Sequence, residues 1–216
     1  MFRFSPLLLL SLILFACKPE PAPAPPLEPG SGSIFVLNEG NFQTGNASLD
    51  LYDPATRSLQ SGVFARTNGR PLGDVFQSLS FFQERAYLVV NNSGKVEIID
   101  PDSLTSLGTL SGMISPRYFL GLPGDKAYVT DLYADAVTIL DLAQGQRQGE
   151  IRLPGWTEQL LLAQGRVYVT NLRRPYLYLI DPQTDALTDS LPVGTGGDQL
   201  VQDAAGMLWL ACGGSL

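Results

Sequence analysis

Residues 85–101 read Arg85-Ala86-Tyr87-Leu88-Val89-Val90-Asn91-Asn92-Ser93-Gly94-Lys95-Val96-Glu97-Ile98-Ile99-Asp100-Pro101. Two short runs rich in β-branched and aromatic residues flank Asn92-Ser93-Gly94, a trio of turn-forming types. The second run ends in Asp-Pro, which stops a strand and opens another turn. Both runs are nearly continuous in apolar residues rather than alternating, so both faces of these strands must be covered. Working outward, Gln77–Phe82 reads as a strand before the pair and the stretch near Leu104–Leu110 as one after it. The unit is thus four short antiparallel strands: A at Gln77–Phe82, B at Arg85–Asn91, C at Lys95–Asp100 and D near Leu104–Leu110.

The unit recurs. Tyr87, Tyr128, Tyr168 and Trp209 sit at the same place in successive B strands, 41, 40 and 41 residues apart. The C-strand aspartates Asp53, Asp100, Asp141 and Asp181 are spaced by 47, 41 and 40. Four strands in about 40 residues is the period of a propeller blade. The expected fold class is therefore all-β, a β-propeller of four-stranded antiparallel blades over residues 33–216. Ile34–Asn38 supplies a B strand with no A strand ahead of it, and the last run stops just past strand B. An incomplete propeller of about four and a half blades is expected, with exposed blade faces. The repeated aspartates are expected to cap turns through their own side chains, and the repeated tyrosines to lie in the core. Cys212 is expected to be a buried small hydrophobe.

Ahead of this region, Arg3 and the apolar run Leu7–Ala16 have the form of a secretory signal, too short to span a bilayer. Leu14-Phe15-Ala16-Cys17 resembles a bacterial lipobox, so residues 1–16 are expected to be a lipoprotein signal peptide and Cys17 the lipidated residue. Residues 17–32 continue as a linker with six prolines, which favours an extended polyproline spacer. Lys18 after Cys17 points to the outer membrane rather than inner-membrane retention. With Cys17 taken by lipid, Cys212 has no disulfide partner.

The chain has a formal charge of -7 and no histidine. That excludes Ser-His-Asp and Cys-His nucleophiles and histidine-liganded metal. The acidic balance argues against a nucleic-acid partner. No catalytic residue, metal site or resident cofactor is assigned.

Strand direction alternates within a blade, so entries to A strands and the B–C loops lie at one end. The A strands are innermost, and their entries surround a channel mouth. There the chain carries Asp74, Gln77, Arg117, Tyr118, Trp156, Glu158, Gln159, Asp198 and Gln199. The B–C loops add Asn91, Asp131, Tyr133 and Asn171, with Arg173 and Arg174 as either contacts or solvated charges. Amides, aromatic rings and arginines together suit a large polar ligand with an apolar body. Glu158 and Asp198 are open to a second reading as calcium ligands or an acid–base pair.

Several motifs carry a resemblance: Asn38-Glu39-Gly40-Asn41-Phe42, Asn68-Gly69-Arg70-Pro71-Leu72-Gly73-Asp74, Val90–Lys95, Ser115-Pro116-Arg117-Tyr118 and Ala127–Tyr133. They resemble YncE-like seven-bladed propellers, in particular surface lipoproteins of BtuG type that capture cobalamin and cap a TonB-dependent transporter. The resemblance covers residues 33–214 and implies about four and a half blades of seven. It adds Arg70 to the residues expected at the mouth. It implies a non-catalytic cell-surface lipoprotein that captures a small molecule, with cobalamin or another corrinoid as ligand and an outer-membrane transporter as partner. The alternatives are a calcium-dependent lactonase-like propeller enzyme and a protein-interaction scaffold.

Overall fold

A computed structural model of the chain describes residues 29–30 and 32–214. The expected signal peptide, Cys17 and most of the linker lie outside the described residues. Every sheet is an antiparallel meander. The first holds β1 (Ile34–Asn38), β2 (Ser48–Asp53) and β3 (Ser58–Gln60). The second runs β4 (Phe76–Phe82), β5 (Arg85–Val90), β6 (Lys95–Ile99) and β7 (Ser106–Ser111). The third runs β8 (Pro116–Leu122), β9 (Lys126–Asp131), β10 (Ala136–Asp141) and β11 (Gln146–Arg152). The fourth runs β12 (Thr157–Ala163), β13 (Arg166–Asn171), β14 (Tyr176–Asp181) and β15 (Ala186–Pro192). The last sheet pairs β16 (Gly197–Gln202) with β17 (Leu208–Cys212). Strands β4, β8, β12 and β16 pack against one another in succession, which makes them the inner strands of an arc of blades. The arc is all-β and propeller-like, and its sheets do not close into a ring.

Strands A, B and C fall within a residue of their sequence positions. Strand D begins at Ser106 rather than Leu104. Leu104 has a φ of 60°, is fully buried, and its N–H donates to the Asp100 carbonyl. It plugs the turn instead of opening the strand. The repeated aspartates do cap turns: Asp53, Asp100, Asp141 and Asp181 each accept a backbone N–H two or three residues on.

The 47-residue spacing has its own cause. A short helix, α1 (Val63–Asn68), is inserted after β3 between two left-handed glycines, Gly62 and Gly69. It buries Val63 and Phe64 against Leu49, Leu51 and Leu72, and Asn68 reaches across to Leu104 O and Ser106 N.

Three clusters of buried apolar residues sit between consecutive blades, where each sheet covers its neighbour. Tyr87 stacks on Phe119 of the next blade with ring centroids 4.0 Å apart, and Tyr128 is equally buried. Tyr168 is half-buried. Trp209 is 57% exposed, and Cys212 is exposed rather than buried. Both lie on the last sheet, and no described blade covers its outer face. A Tyr or Trp at this position is core only where the following blade packs on it. Ser80 and Ser78 hydroxyls add inter-blade bonds to the Phe119 and Arg117 carbonyls.

Candidate functional site at the entry end of the inner strands

Each inner strand opens with a β-bulge. Pairing shifts between Phe76 and Ser78 in β4, Pro116 and Phe119 in β8, Thr157 and Leu160 in β12, and Gly197 and Leu200 in β16. A bulge leaves an extra residue unpaired and re-aims its side chain. The bulged positions hold Gln77; Arg117 and Tyr118; Glu158 and Gln159; and Asp198 and Gln199. Gln77, Arg117, Glu158 and Asp198 are thus equivalent positions on four consecutive blades.

The first three are joined side chain to side chain. Arg117 grips Glu158 along one edge of its guanidinium, with Nε 2.8 and 2.9 Å from the two carboxylate oxygens and Nη2 2.7 Å from Oε1. Its Nη1 donates to Gln77 Oε1 on the preceding blade. Glu158 is 1% exposed. Burial pushes its carboxyl above the ordinary range; Arg117 opposes the rise, and the charge of Asp198 adds to it. Asp198 and Gln199 are exposed, and the Asp198 carbonyl accepts from Thr170 Oγ1. Gln159 is drawn sideways: its Oε1 accepts the Leu200 N–H at 2.7 Å, tying the fourth and fifth sheets. Tyr118 is half-buried, its backbone bonded to Thr130.

Of the B–C loop residues, Asn91, Asp131 and Asn171 are bonded within the fold, as is the strand-entry residue Asp74, while Tyr133 is exposed. Buried Asn91 donates to Ser115 Oγ and the Pro116 carbonyl, both at 2.9 Å. Asp131 accepts four backbone N–H groups, from Ile114, Ser115, Tyr133 and Ala134. Asn171 accepts from Arg173 N and Arg174 N and donates to the Pro154 carbonyl. Asp74 accepts from Gln43 N and Asn92 Nδ2, holding the 41–46 loop over the mouth side. Asn91, Asp131 and Asn171 shape the face through these bonds, whereas Asp74 keeps its buried Oδ1 without a hydrogen-bond partner among the described residues.

Arg70 is not brought together with the others. It reaches the outer strands of its neighbour blade, where Nη2 sits 2.6 Å from Glu97 Oε1 and 3.0 Å from Ser106 Oγ. Its guanidinium also lies over the Phe64 ring. Glu97 is fully buried in β6 and is further bonded to Lys95 and Thr109. Burial alone would raise its carboxyl; the bonds from Arg70, Ser106 and Lys95 outweigh that and hold it below the ordinary range. The sequence did contain the signal: an acid inside the apolar run Val96-Glu97-Ile98 has to find a cation.

Beside the Arg117–Glu158 pair, the third and fourth blades frame an open cavity of about 470 Å³ lined by Leu132, Tyr133, Asp135, Gly155, Trp156, Arg173 and Arg174. The Arg173 guanidinium carbon lies 3.8 Å from the Trp156 ring centroid, and Tyr133 meets Trp156 edge-on at 5.7 Å. Tyr133 is 59% exposed. Leu132, Asp135 and Gly155 were not legible as lining residues. Gly155, at φ 103°, is the one with a visible signal, since a glycine ahead of Trp156 marks close backbone approach. Among the described residues no three acidic, cysteine or histidine side chains converge as a metal-binding group.

A polar loop face at the inner-strand entries of a β-propeller scaffold is the class that fold and site define. The chain belongs to the family described as Domain of unknown function (DUF5074), whose model matches residues 32–216. No protein of curated function matches the sequence. Among solved structures it is similar to the selenomethionine-substituted virginiamycin B lyase from Staphylococcus aureus, with a TM-score of 0.62, 11% identity, and coverage of 83% of this chain and 59% of that one. It is also similar to the dihydro-heme d1 dehydrogenase NirN in complex with DHE, with a TM-score of 0.57, 14% identity, and coverage of 74% and 38%. AztD from Citrobacter koseri matches with a TM-score of 0.50, 13% identity, and coverage of 70% and 43%. The chain therefore spans 38–59% of the length of these neighbours, and at such identities the likeness establishes the fold alone.

Proposed function

We propose that this protein is a non-catalytic binding lipoprotein that captures a small molecule at the entry end of its inner strands. The observation that carries the reading is the run of bulges, which turns Gln77, Arg117, Glu158 and Asp198 to equivalent positions on one end of four blades. The Tyr133–Trp156 pair beside them gives an apolar stacking surface. A corrinoid fits that mixture of amides, charges and rings, in keeping with the resemblance to BtuG-type propellers. On this reading Cys17 is lipidated, the proline-rich linker holds the domain off the outer membrane at the cell surface, and ligand passes to a TonB-dependent transporter.

Titration of the full chain with cobalamin and with cobinamide tests the reading. Saturable binding at micromolar ligand supports it. Absence of binding there, by a protein with intact β-sheet circular dichroism, removes the corrinoid version. A second reading takes Glu158 and Asp198, neighbours in space on consecutive inner strands, as carboxylates of a calcium-dependent lactonase-like site. Calcium retained through dialysis would favour it over capture.

A further inference from the structure

Arg70, Lys95, Arg117, Lys126 and Arg147 each form an ion pair. Among the described residues Arg57, Arg66, Arg85, Arg152, Arg166, Arg173 and Arg174 form none, although the chain as a whole carries a charge of -7. Of these, Arg173 and Arg174 both line the cavity between the third and fourth blades. Both are exposed, yet neither is loosely placed. Their backbone N–H groups are pinned on Asn171 Oδ1 at 3.0 and 2.9 Å, and Asn171 is itself fully buried. Arg173 is flattened on Trp156. The Arg174 stem lies against Gly155, where a Cβ would come within 2.9 Å of its Cγ. The acid lining the same cavity, Asp135, is turned to the Gly155 N–H at 2.7 Å.

We infer that this cavity is an anion-and-ring subsite: it takes a small molecule carrying a phosphate or carboxylate next to a flat ring. A guanidinium stacked on an indole has its N–H groups directed outward in its own plane, the geometry that receives an oxyanion in two parallel bonds. Arg174 supplies a second cation from the adjoining position. The exposed Tyr133 ring, held edge-on to Trp156, offers a face for the ligand's ring. The inference rests on the capture reading and gives it a chemical class, since a neutral ring or a bare anion would satisfy only half of the groove.

Matched pairs of probes test it on the full chain. Flavin mononucleotide against riboflavin isolates a phosphate on a constant ring, and 1-naphthoate against 1-naphthalenemethanol isolates a carboxylate. The anionic member of at least one pair should bind about tenfold more tightly, as a charge-assisted bidentate contact does. That preference should fall below about threefold in Arg173→Ala/Arg174→Ala and shrink as salt is raised. Whichever pair shows the preference names the anion. Tyr133→Ala should weaken both members of a pair alike. Equal binding within both pairs, a preference that survives loss of both arginines, or no binding of any probe below millimolar overturns the inference. Cobalamin titration of the same preparation separates the two claims. Cobalamin binding without an anionic preference sinks the subsite alone, and an anionic preference without cobalamin binding sinks the corrinoid reading alone.

Discussion

Replacing Arg117 with methionine keeps most of the side-chain volume and strips Glu158 of its cation. Glu158 is 1% exposed, and three N–O contacts of 2.7–2.9 Å join it to Arg117, whose side chain is 20% exposed. Removing one member of a buried pair costs about 3–5 kcal/mol because the other is left charged and desolvated; the partial exposure of Arg117 argues for the lower end. For a domain of this size 3 kcal/mol lowers the thermal midpoint by about 6–12 °C at neutral pH. The cost should depend on pH with a definite sign. The folded-state value of Glu158 already lies above its ordinary 4.5. A raised carboxyl contributes stability that is complete below the ordinary value and is lost as pH rises through the folded value. Losing Arg117 raises the folded value further and extends that loss upward in pH. The deficit of the variant is therefore largest at pH 7–8 and shrinks on acidification, as Glu158 takes up a proton. Replacing both residues, Arg117→Met with Glu158→Met, should return the stability to within about 1 kcal/mol of the parent, a midpoint within about 2–4 °C. Melts followed by circular dichroism at pH 5, 6, 7 and 8 read all three. A single-variant deficit that is equal at pH 5 and pH 8, or a double variant no better than the single, would refute the pairing as the source of the cost.

Glu97→Gln should destabilise by about 2–3 kcal/mol at pH 7, since Arg70 and Lys95 lose their anion. Because this carboxyl is held low, its contribution is present above the ordinary value and fades as pH falls through the folded value, so the deficit in urea melts should vanish in acid. Gly121→Ala places a methyl within 2.2–2.5 Å of the Phe82 ring between the second and third blades. It should cost about 2 kcal/mol through overpacking, and Gly121→Ala with Phe82→Leu should recover most of it. Tyr128→Phe removes the hydroxyl bonded to Asp185 on the next blade and should cost about 1 kcal/mol. In the parent, burial first and Asp185 second push that phenol far above its ordinary value, so Tyr128 should stay protonated in an alkaline absorbance titration until the fold is lost.

The blade was legible because it is local. Continuous apolar runs, turn residues and a period near 40 fix strands A, B and C within a residue, and the C-strand aspartates cap their turns through neighbours two or three residues away. What depends on another blade was not legible. Tyr87 and Trp209 occupy the same strand position; one is buried and one is 57% exposed, according to whether a sheet covers it. Cys212 is exposed for the same reason. At the candidate site the equivalence of Gln77, Arg117, Glu158 and Asp198 can be counted along the chain. Their bulges, and the choice of Glu158 as partner for Arg117, arise only when adjacent inner strands meet. Arg70 shows the converse: its place was decided by Glu97, a residue 27 positions away inside the apolar run of strand C.

Glu97 and Glu158 together separate scaffold from site. Each is a fully desolvated carboxylate in a propeller strand, and each has an arginine. Glu97 also has Lys95 and the hydroxyls of Ser106 and Thr109, so every oxygen is satisfied and its charge is favoured. Glu158 has Arg117 alone and a like charge, Asp198, on the next blade. A buried acid provided with more donors than it needs serves to hold blades together. One whose two oxygens both depend on a single arginine, at the end where four bulges turn polar side chains to equivalent positions, is poised to gain from a further donor that the protein itself does not supply. A bound ligand offering an N–H or a cation near Glu158 should therefore draw its carboxyl back down, and ligand affinity should rise with pH across the Glu158 transition. Affinity that is flat with pH, or that falls, would place the ligand out of reach of Glu158.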